Sequence, residues 1–475
     1  MRSNRDVVRI TRAVYGAAFF LCLAGCGGGG GSGSPPVPAS VATPSPTPGP
    51  GVARTVHSAT IAVAQPYPAL GVATTIAVTV TAKDVGGAVI AAPDSYANPI
   101  TVIDDDISGH TSLTRTVLLA PSDPIALRYD GGYFPITKLR ADWTDPLGGM
   151  VEPFRQIATG IASSESSVGA GHSINSVTRG GDGAIWFADQ LGSIGRAVAG
   201  AATFYPVGGG WQPITVAAGT DRTIWFVTTG AFNVVGPYQG VGRIALDGTL
   251  GPIWQTASDF GSGIVVAADG TAYFNQLNAV TRITPAGTMS NVRFTVNGNT
   301  AHTETLAVGS DGALYATSVG MLLRYDLPSG TQTSTAFPVQ SGGRPIEPGL
   351  MVASSDGHLY YDDKGAAIFG QMIPSGAPTL LGRGSATPGQ GAALSPVALA
   401  LAPDGSVWFP SSLMTGDAHP MFGHVVGGAV QMMVGQSAVA RQNANFQDVP
   451  PSSMTLGADG RMWYSRNDAL GSFVP

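Results

Sequence analysis

The chain has 475 residues, a formal net charge of −6 and charged side chains at only 11% of its positions. An acidic chain of this kind is a poor partner for nucleic acid and for anionic lipid headgroups. Glycine occurs 66 times and proline 35 times, which is typical of sheets joined by tight turns. The sequence therefore predicts an all-β protein, long enough for more than one core.

Residues 1–25 have the features of an export signal. Basic side chains precede an apolar run from Ala13 to Leu23, and Leu23-Ala24-Gly25-Cys26 closes the segment. The apolar run is too short to span a bilayer as a helix. The order of these features resembles a bacterial lipoprotein signal, in which the Cys becomes the lipidated first residue. An ordinary secretory signal cleaved nearby is the alternative, and both interpretations export the chain.

Cys26 is the predicted lipidation site, so the expected membrane contact is through lipid and the expected location is the bacterial cell envelope. Gly27 follows it, at the position where an aspartate would hold a lipoprotein at an inner membrane, and this favours the outer membrane in a cell with two membranes. Removing the signal leaves one cysteine, so the mature chain cannot form an internal disulfide. Residues 26–51 are Gly/Ser-rich and then Pro-rich, and they predict an extended linker.

Residues 52–150 alternate apolar and polar side chains in short runs bounded by turn residues. Such a pattern predicts a small immunoglobulin-like β-sandwich, without the cysteine pair of antibody domains. A role as spacer or adhesion module is expected. Asp104, Asp105 and Asp106 form the one charge run, which we interpret as a solvated strand end and not as a calcium loop. The predicted strands are Thr60 to Ala64, Thr74 to Thr81, Pro99 to Ile103, Thr114 to Leu119, Ile125 to Tyr129 and Thr137 to Trp143.

A repeated phrase runs through residues 151–475: an apolar run, an Asp-Gly pair or near equivalent, and Trp or Tyr four residues after the Asp. Copies recur about every 40 to 55 residues, a period suited to one four-stranded propeller blade. The sequence thus predicts a seven-bladed β-propeller, closed by a strand at 153–157 that pairs with the last blade. The repeat Asp residues are Asp182, Asp221, Asp269, Asp311, Asp356, Asp404 and Asp459.

The phrase Asp182-Gly183-Ala184-Ile185-Trp186-Phe187, with Ile194-Gly195-Arg196 after it, resembles the streptogramin B lyase (virginiamycin B lyase) family. More distantly, it is similar to NHL-repeat propellers. The resemblance covers about Glu152 to Pro475. It implies a Mg²⁺-dependent elimination across a C–O bond of a cyclic depsipeptide, with catalytic histidines seven residues before the repeat Asp on two adjacent blades. This chain has no histidine there: the residues are Asn175, Ile214, Ser262, Glu304, Gly349, Val397 and Ser452.

Polar residues near the family positions give two candidate sites. In the first, His302 and Glu304 would act as acid or base, while Glu347 and Asp363 would hold Mg²⁺ or another divalent cation. The alternative is that these side chains are solvated strand ends. The second candidate site consists of His172, Asn175 and Asp189.

Three functions remain open from the sequence. The favoured one is an envelope-anchored monomer whose propeller binds a peptide, a glycan or another envelope component. The second is a lyase-like, metal-dependent enzyme that uses the first candidate site. The third is a structural module for envelope assembly. The blade pattern alone does not decide among them, because one fold serves many functions.

Overall fold

A computed structural model describes residues 51–145, 152–230, 239–256, 263–276, 279–339, 345–363, 368–373, 376, 378–383, 396–415, 419–427, 429–437 and 449–475. Every regular element in these ranges is a β-strand, which confirms the all-β prediction. In the same ranges, no helix is long and apolar enough to cross a membrane. The predicted export signal, Cys26 and nearly all of the predicted linker lie outside the described residues.

The N-terminal domain consists of short strands in two main sheets. Their orders are β2-β3-β8-β6 and β10-β9-β5-β7, and β1 pairs separately with β4. The bounds are β1 Ala53–Arg54, β2 Ser58–Val63, β3 Thr74–Lys83, β4 Ser95–Tyr96, β5 Ile100–Asp104, β6 Thr111–Leu113, β7 Val117–Leu118, β8 Ala126–Tyr129, β9 Thr137–Asp142 and β10 Phe154–Ile157.

One apolar core lies between the two main sheets of this domain. Alternate residues point inward, so that Ile76 of β3, Leu127 of β8 and Leu139 of β9 are buried together. Two stacked sheets over a shared core form a sandwich. Its immunoglobulin-like topology stays a prediction.

The acidic run of this domain is held by hydrogen bonds from neighbouring side chains, whereas we expected a solvated strand end. The Thr111 hydroxyl donates to Asp104 Oδ2 at 2.7 Å and lies 2.9 Å from Asp106 Oδ2, and Arg140 Nε donates to Asp105 at 3.0 Å. Burial raises the pKa of Asp104. The three carboxylates thus organise the loop after β5.

From residue 160 onward, the described residues form one two-stranded sheet and seven sheets of four or five strands, and we number the seven larger sheets blades 1 to 7 in chain order. Blades 1 to 3 are antiparallel four-stranded meanders, and a two-stranded hairpin follows blade 3. Preceding them are the short strands β11 Gly160–Ile161 and β12 Ser163–Ser167. The bounds are β13 Ile174–Arg179, β14 Ile185–Asp189, β15 Ser193–Val198 and β16 Ala201–Pro206 in blade 1; β17 Gln212–Ala218, β18 Thr223–Thr229, β19 Gln239–Ala245 and β20 Leu250–Thr256 in blade 2; β21 Ile264–Val266, β22 Ala272–Gln276, β23 Ala279–Ile283 and β24 Met289–Val292 in blade 3; and β25 Thr295–Val296 with β26 Asn299–Thr300 in the hairpin.

Blades 4 and 5 repeat the four-stranded meander, whereas β11 adds a fifth strand to blade 6 and β12 supplies the fourth strand of blade 7. The bounds are β27 Leu306–Val308, β28 Leu314–Ser318, β29 Met321–Tyr325 and β30 Gln332–Ala336 in blade 4; β31 Met351–Ala353, β32 Leu359–Asp363, β33 Ile368–Met372 and β34 Thr379–Arg383 in blade 5; β35 Ala400–Leu401, β36 Val407–Met414, β37 Pro420–Val426 and β38 Ala429–Gly435 in blade 6; and β39 Ser453–Leu456, β40 Met462–Arg466 and β41 Ala469–Phe473 in blade 7.

The predicted closing strand at 153–157 was wrong. β10 pairs with β9 of the sandwich, and Ile157 lies in the sandwich core. Blade 7 is completed instead by β12, antiparallel to β41, while β11 runs parallel to β38 of blade 6. The sequence Ser-Ser-Glu-Ser-Ser of β12 has no apolar alternation, because an outermost strand has little surface to bury.

The Asp-Gly pairs are the turns between the first and second strands of the blades. Asp182 Oδ1 accepts the N–H of Ala184 at 3.2 Å, and Gly183 takes the positive φ of 79° that such a turn requires. The repeated Arg lies beside this turn in two blades, because Arg196 donates to Asp182 and Arg324 to Asp311. In blade 2 the corresponding Arg243 donates to the carbonyl of Pro285 of blade 3.

Side-chain packing explains why glycine recurs in the repeated Gly-Arg pair. In blade 2, Phe226 is paired across the sheet with Gly242, and a Cβ on this glycine would lie 2.3 Å from Phe226 Cζ. Blade 4 has the opposite arrangement, with the small Ala316 paired with the large Leu323. The two paired positions therefore face the same space between neighbouring blades. That space has room for one large side chain, from either strand.

Contacts at blade 6 join the sandwich to the propeller. Gln436 Nε2 donates to the Tyr67 carbonyl at 2.8 Å, and the N–H of Met432 donates to the Tyr133 hydroxyl at 3.1 Å. The rings of Tyr67 and His419 meet edge to face, 4.9 Å between centroids. With the parallel pairing of β11, these contacts fix the sandwich beside the last two blades.

Candidate functional site

One rim of the ring carries a set of polar residues, which we call the rim positions. Each lies seven residues after a repeat Asp, at or near the end of the second strand of its blade, and six of the seven are buried. Buried polar groups need hydrogen-bond partners. The rim positions are Asp189, Thr228, Gln276, Ser318, Asp363, Ser411 and Arg466.

The second candidate site is partly assembled on blade 1. His172 Nδ1 lies 2.8 Å from Asp189 Oδ2, and the Asp189 side chain is fully buried. Its Oδ1 accepts the N–H groups of Ser173 at 3.0 Å and Leu191 at 3.2 Å. The His172 ring stacks on Phe204 with centroids 3.9 Å apart. A carboxylate oxygen accepts from a protonated ring nitrogen, so this contact matches a His172 ring that carries a proton on Nδ1.

Asn175, the third member of this candidate, lies at a β-bulge. Ile174 pairs with Asp189 and Ser176 with Ala188, which leaves Asn175 as the extra residue of β13. Within the described residues, the Asn175 side chain has no hydrogen bond to His172 or Asp189. The structure thus brings two of the three predicted residues together. Ile214 occupies the corresponding bulge in blade 2.

The structure brings together only some of the residues of the first candidate site. Glu347 and Asp363 meet through the backbone, because the Glu347 N–H donates to Asp363 Oδ1 at 3.1 Å. Asp363 is buried, whereas His302 is exposed. The backbone of Glu304 is used in blade packing, with its N–H donating to Thr317 and its carbonyl accepting from Asn275.

The donor set of the first candidate does not fit a divalent cation. In the part of the chain that the structure describes, no three His, Cys, Asp or Glu side chains are grouped so that they could hold a metal ion. Mg²⁺ prefers carboxylate oxygens arranged octahedrally around it. We therefore derive no chemical step through a metal at His302, Glu304, Glu347 and Asp363.

Asp362, beside the predicted Asp363, was missed by the sequence reasoning. Its Oδ1 accepts the N–H groups of Gly349 at 2.9 Å and Leu350 at 2.6 Å. Burial raises the pKa of Asp362 to about 6. Two adjacent carboxylates at the end of an otherwise aromatic strand were the available sequence signal, since one of them must face inward.

The buried pair of Glu165 and Arg466 was also missed. Arg466 Nη1 lies 3.2 Å from Glu165 Oε1, and both side chains are fully buried. The Tyr464 hydroxyl donates to the same oxygen at 3.0 Å, and Arg466 Nε donates to the Val449 carbonyl at 2.8 Å. An arginine at a rim position was visible in the sequence, but its partner is 301 residues away.

The inner wall of the ring is formed by the first strands of the blades. β13 contacts both β17 and β39, and β35 contacts β39. Between β13, β31, β35 and β39 is an open cavity of about 310 Å³, which we call the central recess. It is lined by residues 178–179, 352, 399–401 and 454–456.

The central recess combines aliphatic and polar groups. Val352, Leu399, Leu401 and Leu456 are half-buried, so part of their apolar surface faces the cavity. Arg179 is exposed at its wall. No member of the predicted candidate sites lines this cavity. Sequence reasoning missed it because its lining comes from four distant parts of the chain.

The fold and these contacts define a β-propeller joined to a sandwich. The fold is similar to a selenomethionine-substituted virginiamycin B lyase from Staphylococcus aureus, with 18% identity and a TM-score of 0.51 over 66% of this chain and 99% of that chain. A streptogramin B lyase structure gives 18% identity and a TM-score of 0.50 over 66% and 97%. No family model and no curated protein matches the sequence.

A catalytically inactive virginiamycin B lyase from Staphylococcus aureus with quinupristin is also similar, with 19% identity and a TM-score of 0.51 over 66% of this chain and 99% of that chain. Identities this low show a shared fold and not a shared activity. The resemblance predicted from the blade phrase is therefore supported as a likeness of fold.

Proposed function

We propose that this chain is an exported, lipid-anchored propeller protein that binds a peptide, a glycan or another envelope component in its central recess. The signal-like segment ending at Cys26 supports the location. The observation that carries the proposal is the recess itself, an open cavity of about 310 Å³ with aliphatic surface and polar groups on its wall. Such a cavity is at the small end of ligand-binding pockets, about 300–1,000 Å³.

The rim supports binding over elimination chemistry. None of the seven residues at the repeat position of the family's histidines is a histidine, and Glu304 is the one ionisable side chain among them. Carboxylates on the rim already accept backbone N–H groups, as Asp189, Asp362 and Asp363 do. These groups hold loops to strands, whereas the residues that line the recess include an exposed arginine and half-buried leucines.

A retention experiment tests the binding proposal. The full chain, purified in detergent and immobilised, is incubated with a defined set of envelope-derived peptides and glycan fragments, and retained components are identified by mass. Thr455→Phe fills the recess and should abolish retention. Thr335→Phe on the outer strand β30 is a matched control, because Thr335 is equally half-buried, and it should retain the ligand. No retention, or equal retention by Thr455→Phe, would refute the proposal.

A second candidate function, a lyase-like enzyme, is favoured by one observation: the 2.8 Å contact of His172 with buried Asp189. A carboxylate that holds Nδ1 orients the ring and makes Nε2 the proton acceptor, as in many acid–base sites. The test incubates the chain with a streptogramin B, with and without Mg²⁺, and follows opening of the ring by chromatography and fragment masses, because elimination within a ring leaves the total mass unchanged. Turnover that His172→Gln abolishes would support the enzyme, whereas an unchanged substrate excludes this activity.

A further inference from the structure

The central recess contains one cation whose charge is not balanced by the protein. Arg179 ends β13, its side chain is exposed, and it lines the cavity. Within the described residues, this side chain has no ion-pair or hydrogen-bond partner. The chain as a whole is acidic. An unbalanced guanidinium on a cavity wall is therefore a recognition group for an anion.

The carboxylates of the neighbouring turns do not take this role. Asp182 accepts from Arg196 Nε at 2.7 Å and from the Trp186 indole at 3.2 Å. Asp459 accepts from the Trp463 indole at 3.2 Å and from the N–H of Arg461. Each carboxylate is held by donors of its own blade. The guanidinium of Arg179 is left for a ligand.

The rest of the recess limits what the anion is attached to. Thr178 and Thr455 line the cavity, and their hydroxyls have no hydrogen-bond partner in the described ranges. Beside them are the half-buried side chains of Leu399 and Leu456. Free hydroxyls match amide groups, and the aliphatic side chains match apolar side chains.

The charge of Arg179 and the volume of the cavity further restrict the class of ligand. One guanidinium balances one negative charge, which matches a carboxylate better than a phosphate dianion. A cavity of about 310 Å³ is equivalent to a cube about 7 Å on a side, which admits about two residues of extended chain at ~3.4 Å each. The lining thus matches the end of a peptide and not a folded partner.

We infer that the central recess binds the free C-terminal end of an apolar peptide, with Arg179 holding the terminal carboxylate. This inference rests on the proposed binding function and specifies its ligand. The guanidinium and the carboxylate would form two parallel charge-assisted hydrogen bonds. Thr178 and Thr455 would bind the terminal amides, and the leucine side chains would pack on the apolar residues.

Calorimetry with matched probes tests the inference. The full chain in detergent is titrated with acetyl-valyl-leucine, with its C-terminal amide and with decanoate. We expect the amide to bind about 10-fold or more weakly than the acid, because it lacks the charge-assisted bonds. Arg179→Met should weaken acid binding about as much and leave amide binding unchanged. Arg179→Lys should restore part of the loss.

Arg128→Met is the matched control, since Arg128 is an exposed arginine of β8 in the sandwich, and it should bind like the unaltered chain. Equal binding of acid and amide, no binding of the acid, or full binding by Arg179→Met would overturn the inference. Binding of decanoate in place of the peptide acid would overturn the peptide assignment. If the retention experiment still yields a recess ligand, only the inference fails and the proposed function stands.

Discussion

Glu165 and Arg466 form an ion pair that closes the ring of blades. Glu165 lies in the middle of β12, and Arg466 ends β40 in the last blade, 301 residues later. Both side chains are fully buried, with Nη1 and Oε1 3.2 Å apart. The Tyr464 hydroxyl donates a third hydrogen bond to this cluster. The polar strand β12 is thus held to blade 7 by charge as well as by backbone pairing.

Breaking this pair should destabilise the ring. Removal of one member of a buried pair typically costs about 3–5 kcal/mol, because the other charge is left without its partner. We expect Arg466→Met to lower the free energy of unfolding, measured by urea titration, by that amount. The double variant Glu165→Gln/Arg466→Met should cost less than the sum of the two single variants.

An exposed pair provides the control. Arg54 and Asp94 of the sandwich form an ion pair on the surface, and Arg54→Met should cost much less than Arg466→Met because solvent screens exposed charges. If Arg466→Met costs no more than Arg54→Met, the buried pair does not close the ring.

The repeated turns could be predicted from the sequence, whereas the closure could not. Asp182-Gly183 is a local signal, because the side chain and the backbone that it caps are two residues apart. The pairing of β12 with β41 has no local signal, since Ser163 to Ser167 are polar and their partner strand is at the other end of the chain. The segment 153–157 was favoured because it precedes the first repeat and resembles the fourth strands of the other repeats, but it pairs in the sandwich.

Some residues of the candidate sites could also be predicted from the sequence, and others could not. His172 and Asp189 could be predicted because both are close to one repeat Asp on one blade. The central recess could not, since it needs side chains from four blades in one place. A metal site at Glu347 and Asp363, beside His302 and Glu304, was expected from family positions alone, and position in a repeat does not fix where a side chain points.

Blades 2 and 4 place the large and the small residue on opposite strands of the pair. We therefore expect the second substitution of a double variant to offset part of the stability lost through the first. Gly242→Leu should destabilise the chain by about 1–3 kcal/mol or more through overpacking, and Phe226→Ala by about 3–5 kcal/mol through a cavity. The double variant copies Ala316 and Leu323 of blade 4. We expect it to cost less than the sum by about 1–3 kcal/mol in urea unfolding.

The matched control combines Gly242→Leu with Phe409→Ala, a similar deletion in distant blade 6. Its costs should add, because the two residues do not share a space. Additive costs for Phe226→Ala/Gly242→Leu would refute the shared-space explanation of the repeated glycine.

Asp362 should give the chain a pH-dependent stability. An unfolded Asp loses its proton near pH 3.8, whereas the buried Asp362 keeps it up to a pKa of about 6. Between these values the folded state binds more protons, so this group lowers stability as pH rises. At pH 7 the cost is about 3 kcal/mol at most, from 1.36 kcal/mol per unit.

Asp362→Asn keeps an acceptor oxygen for the N–H groups of Gly349 and Leu350 without the charge. We expect this variant to be more stable than the parent at pH 7, with the difference vanishing below pH 4. A difference that does not change between pH 4 and pH 7 would contradict the assignment.

Replacing Asp189 should lower the free energy of unfolding more than replacing His172. Asp189→Ala leaves the N–H groups of Ser173 and Leu191 without their acceptor in two part-buried hydrogen bonds, at about 1 kcal/mol each. His172→Ala removes a partly exposed ring and should cost about 1 kcal/mol. A larger cost for His172→Ala in thermal or urea unfolding would show that the ring, and not the carboxylate, holds this loop.

A crystal structure of the chain with a ligand recovered by retention tests the central claim most directly. We predict electron density for the ligand inside the recess between β13, β31, β35 and β39, in contact with Arg179 and Thr455. Density confined to the rim positions or to the sandwich, with an empty recess, would contradict it.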